Sequence, residues 1–315
     1  MKMNTLGSSG IAVSEIGLGC MSLGTEETKA IAIVHEALEL GVNYFDTADL
    51  YDAGRNDELL GKALYGRRGD VVIATKVGNR RIPGRDGWVW DPSKAYIRAA
   101  VKESLRRLKT DYIDLYQLHG GTIEDNIDET IEAFEELKRE GVIRCYGISS
   151  MRPNVVREYV RRSGIVSVML PYSALDRRAE EELLPLLAER GISAVVRGPL
   201  AKGALASGRD VKEPFQDYNL EEVLAVRERL AEMAAERSSP PAAGASAGPA
   251  AHCGLTQISL RFALSHPAVA AAVPGASSIA QLRDNVKAAA VPPLTAEELA
   301  RIRSFTKANK FTQHR

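Results

Sequence analysis

Apolar runs of strand length recur along the chain at Glu15–Leu18, Tyr44–Asp46, Val71–Lys76, Ile113–His119, Ile143–Ser149, Val166–Leu170, Ser193–Arg197 and Ala270–Val273. Several are continuous rather than alternating, the pattern of parallel strands covered on both faces. Between them the apolar spacing changes to three and four. Ile31, Val34 and Leu38 repeat in this way, and Gly41 ends that helix. Ser93 is placed to cap a helix carrying Ile97, Val101, Leu105 and Leu108. Asp125 is placed likewise before Ile127, Ile131, Phe134 and Leu137, with Gly141 closing. Pro153 opens a helix to Ser163, and Ala179–Arg190 predicts another, stopped by Gly191. Gly7–Val13 reads as a hairpin ahead of the first strand.

Eight strand–helix units in 315 residues predict an α/β chain folded as a (β/α)8 TIM barrel, one domain over 1–315. The alternative is a doubly wound open sheet. Gly17-Leu18-Gly19 lacks the third glycine that would mark its dinucleotide turn. Helices at 220–237 and 255–264 are inserted before the eighth strand. The segment between them, Ser238–His252, has no Asp, Glu, Lys or Arg and no large apolar side chain. It cannot bury enough surface to offset ordering entropy, which predicts a mobile loop inside the barrel domain.

Composition narrows the class. Apolar residues are 45% and charged residues 26%, and 41 basic residues balance 41 acidic ones. The basic doublets Arg67-Arg68, Arg106-Arg107, Arg161-Arg162 and Arg177-Arg178 are dispersed among acids. They read as solvated helix faces, so no nucleic-acid partner is expected. The cysteines, Cys20, Cys145 and Cys253, lack the spacing of a zinc or redox site, so no metal is expected, and their use suits a reducing cytoplasm. Gly-Ser-Ser-Gly follows the first residues instead of an apolar leader, and no run of about 18 apolar residues occurs. Neither secretion nor a membrane partner is expected. Oligomeric state is left open.

In a barrel the chemistry sits at the C-terminal ends of the strands. Read in order, those ends supply Asp46, Lys76, His119, Ser149, Met169–Pro171 and Arg197. Taken singly, Asp46 could cap a turn, Lys76 could reach solvent and His119 could be a satisfied buried imidazole. At equivalent places on neighbouring strands they converge. Tyr51, five residues after Asp46, falls in a loop over the same mouth. An adjacent ammonium is expected to draw its phenol down from about 10 toward neutrality. Asp46 would keep Lys76 charged. Such a tyrosine can exchange a proton with a carbonyl or alcohol oxygen, and His119 can hydrogen-bond the same oxygen. None of these groups moves electrons, so a cofactor must. Its cradle is legible after the seventh and eighth strands, in Gly198-Pro199-Leu200-Ala201-Lys202-Gly203 and in Pro274-Gly275-Ala276-Ser277-Ser278, which opens a helix carrying Gln281 and Asn285. Loops there, with a helix N-terminus, favour phosphate. Plain helix capping is the other reading of Ser277-Ser278.

These residues lie in longer motifs: Ile16-Gly17-Leu18-Gly19-Cys20-Met21, Asn43 through Tyr51, Ala74-Thr75-Lys76, Ser104 through Leu108, Asp111 through His119, Gly147-Ile148-Ser149 and Val273-Pro274-Gly275-Ala276. In them the chain resembles the aldo-keto reductase superfamily, nearest its bacterial and potassium-channel-β-like branch. The resemblance implies a catalytic set of Asp46, Tyr51, Lys76 and His119. It implies NADPH as cofactor, with NADH open, and reversible hydride transfer to a small carbonyl substrate, with Tyr51 as acid. Cofactor contacts are implied at Gly19, Cys20, Met21 and Asp46. Ser149 falls at the nicotinamide amide and Arg197 against its ring. Gly198, Leu200, Lys202 and Gly203 fall around the pyrophosphate, and Gly275, Ser277, Ser278, Gln281 and Asn285 toward the adenosine end. Met21, Tyr51, Trp88, Trp90 and His119 would face substrate. The indoles fit an apolar or sugar-stacking wall equally with packing inside their own loop.

The chain departs from the family in three places. Ser149-Ser150 stands where many members have Ser-Asn, and Met169 where many have Gln. No basic residue adjoins Ser277-Ser278, Arg283 being one position from the usual contact with the 2′-phosphate. The preference for NADPH is therefore expected to be small. Two other readings remain: a nicotinamide-nucleotide-sensing module with slow turnover, and a Schiff-base enzyme using Lys76.

Overall fold

The computed structural model describes every residue except 83, 85, 86 and 239–252. Apart from Ser238, the loop expected at Ser238–His252 lies outside the described residues. The chain opens with an antiparallel hairpin, β1 (Met3–Thr5) and β2 (Ala12–Ser14), whose turn holds the Gly7 region. It continues through β3 (Leu18–Gly19), α1 (Glu27–Glu39), β4 (Tyr44–Asp46), α2 (Arg55–Ala63) and β5 (Val72–Val77). A second hairpin follows, β6 (Asn79–Arg81) with β7 (Trp88–Trp90). Then come α3 (Lys94–Leu108), β8 (Ile113–Leu118), α4 (Ile127–Arg139), β9 (Ile143–Ser149), α5 (Pro153–Arg162), β10 (Ser167–Pro171), α6 (Leu183–Glu189) and β11 (Ser193–Arg197). The chain ends with α7 (Leu220–Ser238), α8 (Leu255–Ala263), β12 (Val269–Val273), α9 (Ile279–Val286) and α10 (Ala296–Phe305).

Eight parallel strands lie side by side in the order β3, β4, β5, β8, β9, β10, β11, β12. Bridges from Ile16 to Ala272 and from Gly19 to Gly275 join the first to the last. The sheet therefore closes into a (β/α)8 barrel, and the open doubly wound sheet is excluded. The seam needs its glycine: a Cβ on Gly19 would stand 2.9 Å from the Val273 carbonyl oxygen. Regular pairing of the first strand covers only Leu18–Gly19, shorter than its apolar run.

Side-chain alternation sorts the strands into two cores. Phe45, Ile73, Tyr116, Tyr146 and Ile148 face outward and pack against Val34, Leu60, Val101 and Phe134 from the helices. Phe134 stacks on Tyr146 at 5.4 Å and meets Tyr116 edge-on at 5.5 Å. Tyr44, Val72, Ala74, Leu115, Cys145, Met169, Val195 and Ala271 face inward, and Leu6 and Val13 of the first hairpin plug the N-terminal end. Fully burying each large apolar side chain contributes roughly 1.5–3 kcal/mol.

Local details correct the sequence reading. Ser93 caps α3 by accepting from Tyr96 N–H, but α4 is capped by Asn126. Asp125 instead accepts from the Trp90 indole at 2.9 Å. The helix expected over Ala179–Arg190 starts only at Leu183, after a separate 3-10 turn at Arg178–Glu180. Pro185 has no N–H to bond back, so it is tolerated only in a first turn. The arginine doublets are not uniformly solvated. Arg106 is 67% exposed, whereas Arg107 is 14% exposed. Arg68 and Arg177 also turn inward, onto Asp114 and onto Glu180 and Thr306. Adjacent positions on one element point in different directions, so a doublet need not share one environment.

Candidate active site

The alternation that packs the interior also aims the polar groups. Tyr44 and Asp46 share one face of β4, and Ala74 and Lys76 share one face of β5. Leu115, Gln117 and His119 follow the same sequence on and just beyond β8. Each inward apolar residue low in the barrel is thus followed by a polar one at its mouth. Lys76 is fully buried, and its Nζ donates to Asp46 Oδ1 at 2.5 Å, to the Thr47 carbonyl at 2.7 Å and to the Tyr51 hydroxyl at 3.3 Å. Gln117 Nε2 donates to the other Asp46 oxygen at 3.4 Å. The Tyr51 and His119 rings meet edge-on, their centroids 5.9 Å apart. His119 Nδ1 and Gln117 Oε1 are buried without a protein partner.

The electrostatics follow from depth. Burial pushes the Asp46 carboxyl up, with Lys76 working against it. Burial pulls the Lys76 ammonium down, but Asp46 and Tyr51 together outweigh it, so the lysine stays charged. His119 falls to about 3, through burial first and then the cations Lys76 and Arg197, so its ring is neutral. Tyr51 moves opposite to the sequence expectation. Burial raises its phenol above the ordinary value, and Lys76 offsets only part of the rise. Tyr51 is therefore protonated at neutral pH, a donor waiting for an acceptor.

A supporting layer escaped the sequence reading. The Thr47 hydroxyl lies 2.8 Å from Asn56 Oδ1 and 2.9 Å from Asp57 Oδ1, and Arg107 grips the other Asp57 oxygen. Asn56 shares the inward stripe of α2 with Leu59, Leu60 and Ala63. A polar residue interrupting an apolar stripe was the available signal.

The other half of the mouth is built differently. Arg197 ends β11 exposed, its guanidinium 3.7 Å from Met151 Sδ. Ser149 ends β9, buried. After β11, Gly198 and Gly203 and the intervening Ala201 and Lys202 take left-handed backbone conformations, turning the chain beside Leu200. Lys202 is exposed and has no ion-pair partner among the described residues. Ser278 caps α9 through Gln281 N–H, and Gln281 Oε1 accepts from Ser277 N–H at 2.9 Å and from its hydroxyl at 3.0 Å. The capping reading of the two serines is thus realised. Asn285 is buried and donates to the Gly275 carbonyl at 3.2 Å. Arg283 does not turn toward the serines; it makes a two-pronged ion pair with Glu36 of α1, at 2.7 and 3.2 Å. An unpaired lysine, glycine turns, hydroxyls and an exposed guanidinium suit an extended phosphate-bearing cofactor.

Cys20 directly follows β3. Its thiol is fully buried, pushed up by burial and turned to the Leu18 carbonyl, while its own carbonyl accepts from Asn56. Met21 beside it is 64% exposed. The two indoles part company: Trp90 lies against Gly78 and Gly120 and is anchored by Asp125, whereas Trp88 is exposed on the hairpin. Among the described residues no helix is long and apolar enough to cross a membrane.

Comparison with known proteins adds to this geometry. A profile of the aldo/keto reductase family matches residues 15–307. The oxidoreductase YqkF of Bacillus subtilis, described as uncharacterized, is 54% identical over 322 residues, covering all of both chains. The holo form of aldo-keto reductase AKR11C1 from Bacillus halodurans is 55% identical, with a TM-score of 0.89 over 100% of this chain and 99% of that one. An aldo/keto reductase from Klebsiella pneumoniae, in complex with NADP and acetate, is 27% identical, with a TM-score of 0.76 over 99% and 98% of the two chains.

Proposed function

The chain belongs to the aldo/keto reductase family and is an oxidoreductase of that type; from this premise we propose that it reversibly reduces aldehydes or ketones to alcohols, Tyr51 being the general acid, with NADPH preferred over NADH. One observation carries the reading: the Lys76 ammonium bonds both the Asp46 carboxylate and the Tyr51 hydroxyl, with His119 edge-on to that phenol. The relative crystallised with NADP supports the choice of a nicotinamide cofactor.

A bound nicotinamide supplies the hydride that no side chain can. Ser149 and Arg197 would hold its ring end, Gly198 through Gly203 the pyrophosphate, and Ser277, Ser278, Gln281 and Asn285 the adenosine end. Gly19 and Gly275 pair across the barrel seam, and with the Cys20 backbone they would border the same cofactor. Tyr51 gives its proton to the carbonyl oxygen as charge develops there, and Lys76 stabilises the phenolate left behind. His119, being neutral, orients that oxygen by a hydrogen bond and not by charge. Met21 and Trp88 present apolar surface to the substrate, and Trp90 steadies the loop that carries Trp88.

Steady-state turnover of aromatic aldehydes, aldoses, methylglyoxal and quinones with NADPH and NADH in parallel tests the proposal. Turnover of at least one class is expected, with NADPH binding on the order of tenfold more tightly, about 1.4 kcal/mol. Tight dinucleotide binding without turnover of any carbonyl would replace the proposal with the sensing module.

A further inference from the structure

Behind the acid–base cluster lies a polar layer that proton transfer does not itself touch. Asp57 of α2 is fully buried, and its oxygens serve different partners. Oδ1 accepts from the Thr47 hydroxyl at 2.9 Å and more weakly from Thr75 at 3.5 Å. Oδ2 accepts from Arg107 Nε at 3.2 Å and Nη2 at 3.1 Å. Asn56 offers Thr47 a second acceptor and is itself held by donating to the Cys20 carbonyl at 2.8 Å. Thr47 in turn offers its carbonyl to Lys76 Nζ at 2.7 Å. A connected path therefore runs from Arg107 in the helical layer through Asp57 and Thr47 to the ammonium inside the barrel.

Arg107 also reaches the turn that carries Tyr51. Asp52, Ala53 and Gly54 follow one another at φ 48°, 58° and 88°, all left-handed. For the two that are not glycine this is a strained conformation, which persists only where its surroundings over-determine it. Arg107 lies directly against Gly54: a Cβ there would stand 2.9 Å from Arg107 Cδ and Nε. One guanidinium thus touches both supports of the site.

A purely structural reading explains this poorly. A buried ion pair is weak evidence for stability, because desolvation of both charges consumes most of the attraction, and apolar residues of similar volume often join helices as well. A fork that divides its contacts between Asp57, which holds the residue accepting from Lys76, and the Tyr51 turn does something apolar packing cannot: it sets a donor–acceptor geometry.

We infer that the Arg107–Asp57 pair is the positioning element of the proposed reaction, fixing Thr47 and with it Lys76 from one side and the Tyr51 turn from the other, so that ammonium and phenol meet. This rests on the assignment of Tyr51 as acid. The charged and titratable groups facing Tyr51 are Lys76, Asp46, Arg197 and His119. Of these Lys76 exerts the largest downward pull on the phenol, so letting it drift raises the pH at which Tyr51 becomes a base.

The test compares Arg107→Met, Arg107→Lys, Thr47→Val and Tyr51→Phe. Benzaldehyde with NADPH and benzyl alcohol with NADP+ serve as the probe pair. Arg107→Met is expected to lose roughly tenfold or more in kcat, with KM and NADPH affinity held within about twofold. Its pH midpoint for alcohol oxidation should move upward. Arg107→Lys should recover part of both, keeping the charge without the fork. Thr47→Val keeps the shape, cuts the link, and should move the midpoint in the same direction by less. A folded Arg107→Met protein that binds NADPH normally and keeps the wild-type midpoint would overturn the inference. If that variant does not fold, Thr47→Val decides, and an unmoved midpoint there overturns it equally. Full turnover by Tyr51→Phe would remove the acid assignment itself, a distinct failure that takes the inference with it.

Discussion

The two halves of the barrel mouth are built on opposite plans. At the ends of β4, β5 and β8 the polar groups are buried and already bonded to one another: Lys76 to Asp46, Thr47 and Tyr51, and Asp57 to Arg107. At the ends of β11 and β12 they are largely exposed, and their partners are neighbours on the surface: Ser277 with Gln281, and Arg283 with Glu36. The first half is preorganised during folding, where low dielectric strengthens each interaction. The second holds groups that can exchange a weak surface partner for a ligand. Under the proposed function, rate rests with the buried half and affinity with the exposed half.

Tyr51→Phe is the largest expected break in that division. It keeps the ring and removes the proton, so carbonyl reduction should fall by roughly 10²–10⁴-fold while the NADPH dissociation constant stays unchanged. Fluorescence titration beside steady-state kinetics reads both. A comparable loss of NADPH binding would mean that the two halves are not separable.

Asp49 gives the buried half a pH signature in stability. It lies in the same loop, with Oδ1 buried and unpartnered and Oδ2 only 3.4 Å from the Tyr96 hydroxyl. Burial first, and then repulsion from Asp57, push its carboxyl up to about 7. The unfolded chain releases this proton near pH 3.9. The folded state therefore binds the extra proton between these values, and the resulting stabilisation, complete at low pH, is lost as pH rises through about 7. Asp49→Asn cannot ionise and escapes that loss. Its melting temperature relative to wild type should climb by several degrees between pH 4 and pH 8. An offset that does not vary with pH would show that Asp49 ionises freely in the folded protein.

The exposed half should answer in affinity and by less. Glu36→Gln releases Arg283 from its ion pair at 2.7 Å without touching the acid–base cluster. NADPH should then bind a few-fold more tightly, in line with about 0.2–1 kcal/mol for an exposed pair, with NADH and kcat unmoved. Equal tightening of both dinucleotides would place Arg283 away from the 2′-phosphate.

The same contrast governs what could be read from sequence. β9 and β11 follow their apolar runs to the residue, and the inward parity of Asp46, Lys76 and His119 continues the apolar residues beneath them. α2 went unseen because Asn56, Asp57 and Gly61 dilute its buried face. Arg107 looked solvated because a doublet carries no information about which member turns inward. The direction of the Tyr51 shift is hidden from the sequence for a related reason. A neighbouring charge can be counted from the chain, but the burial that outweighs it depends on the whole barrel. On the cofactor side the barrel context locates the phosphate cradle, and family resemblance supplies the individual contacts, where isolated hydroxyls and glycines are otherwise ambiguous.

The central claim is that Lys76 tunes Tyr51, and the pH dependence of benzyl alcohol oxidation in wild type and Lys76→Met tests it most directly. Removing the ammonium takes away the largest opposition to burial, so the residual rate of the variant should rise with pH to a clearly higher midpoint than that of wild type. His119, neutral above about 3, contributes no step in that range. An identical midpoint in the two proteins, whatever the loss of rate, would contradict the account.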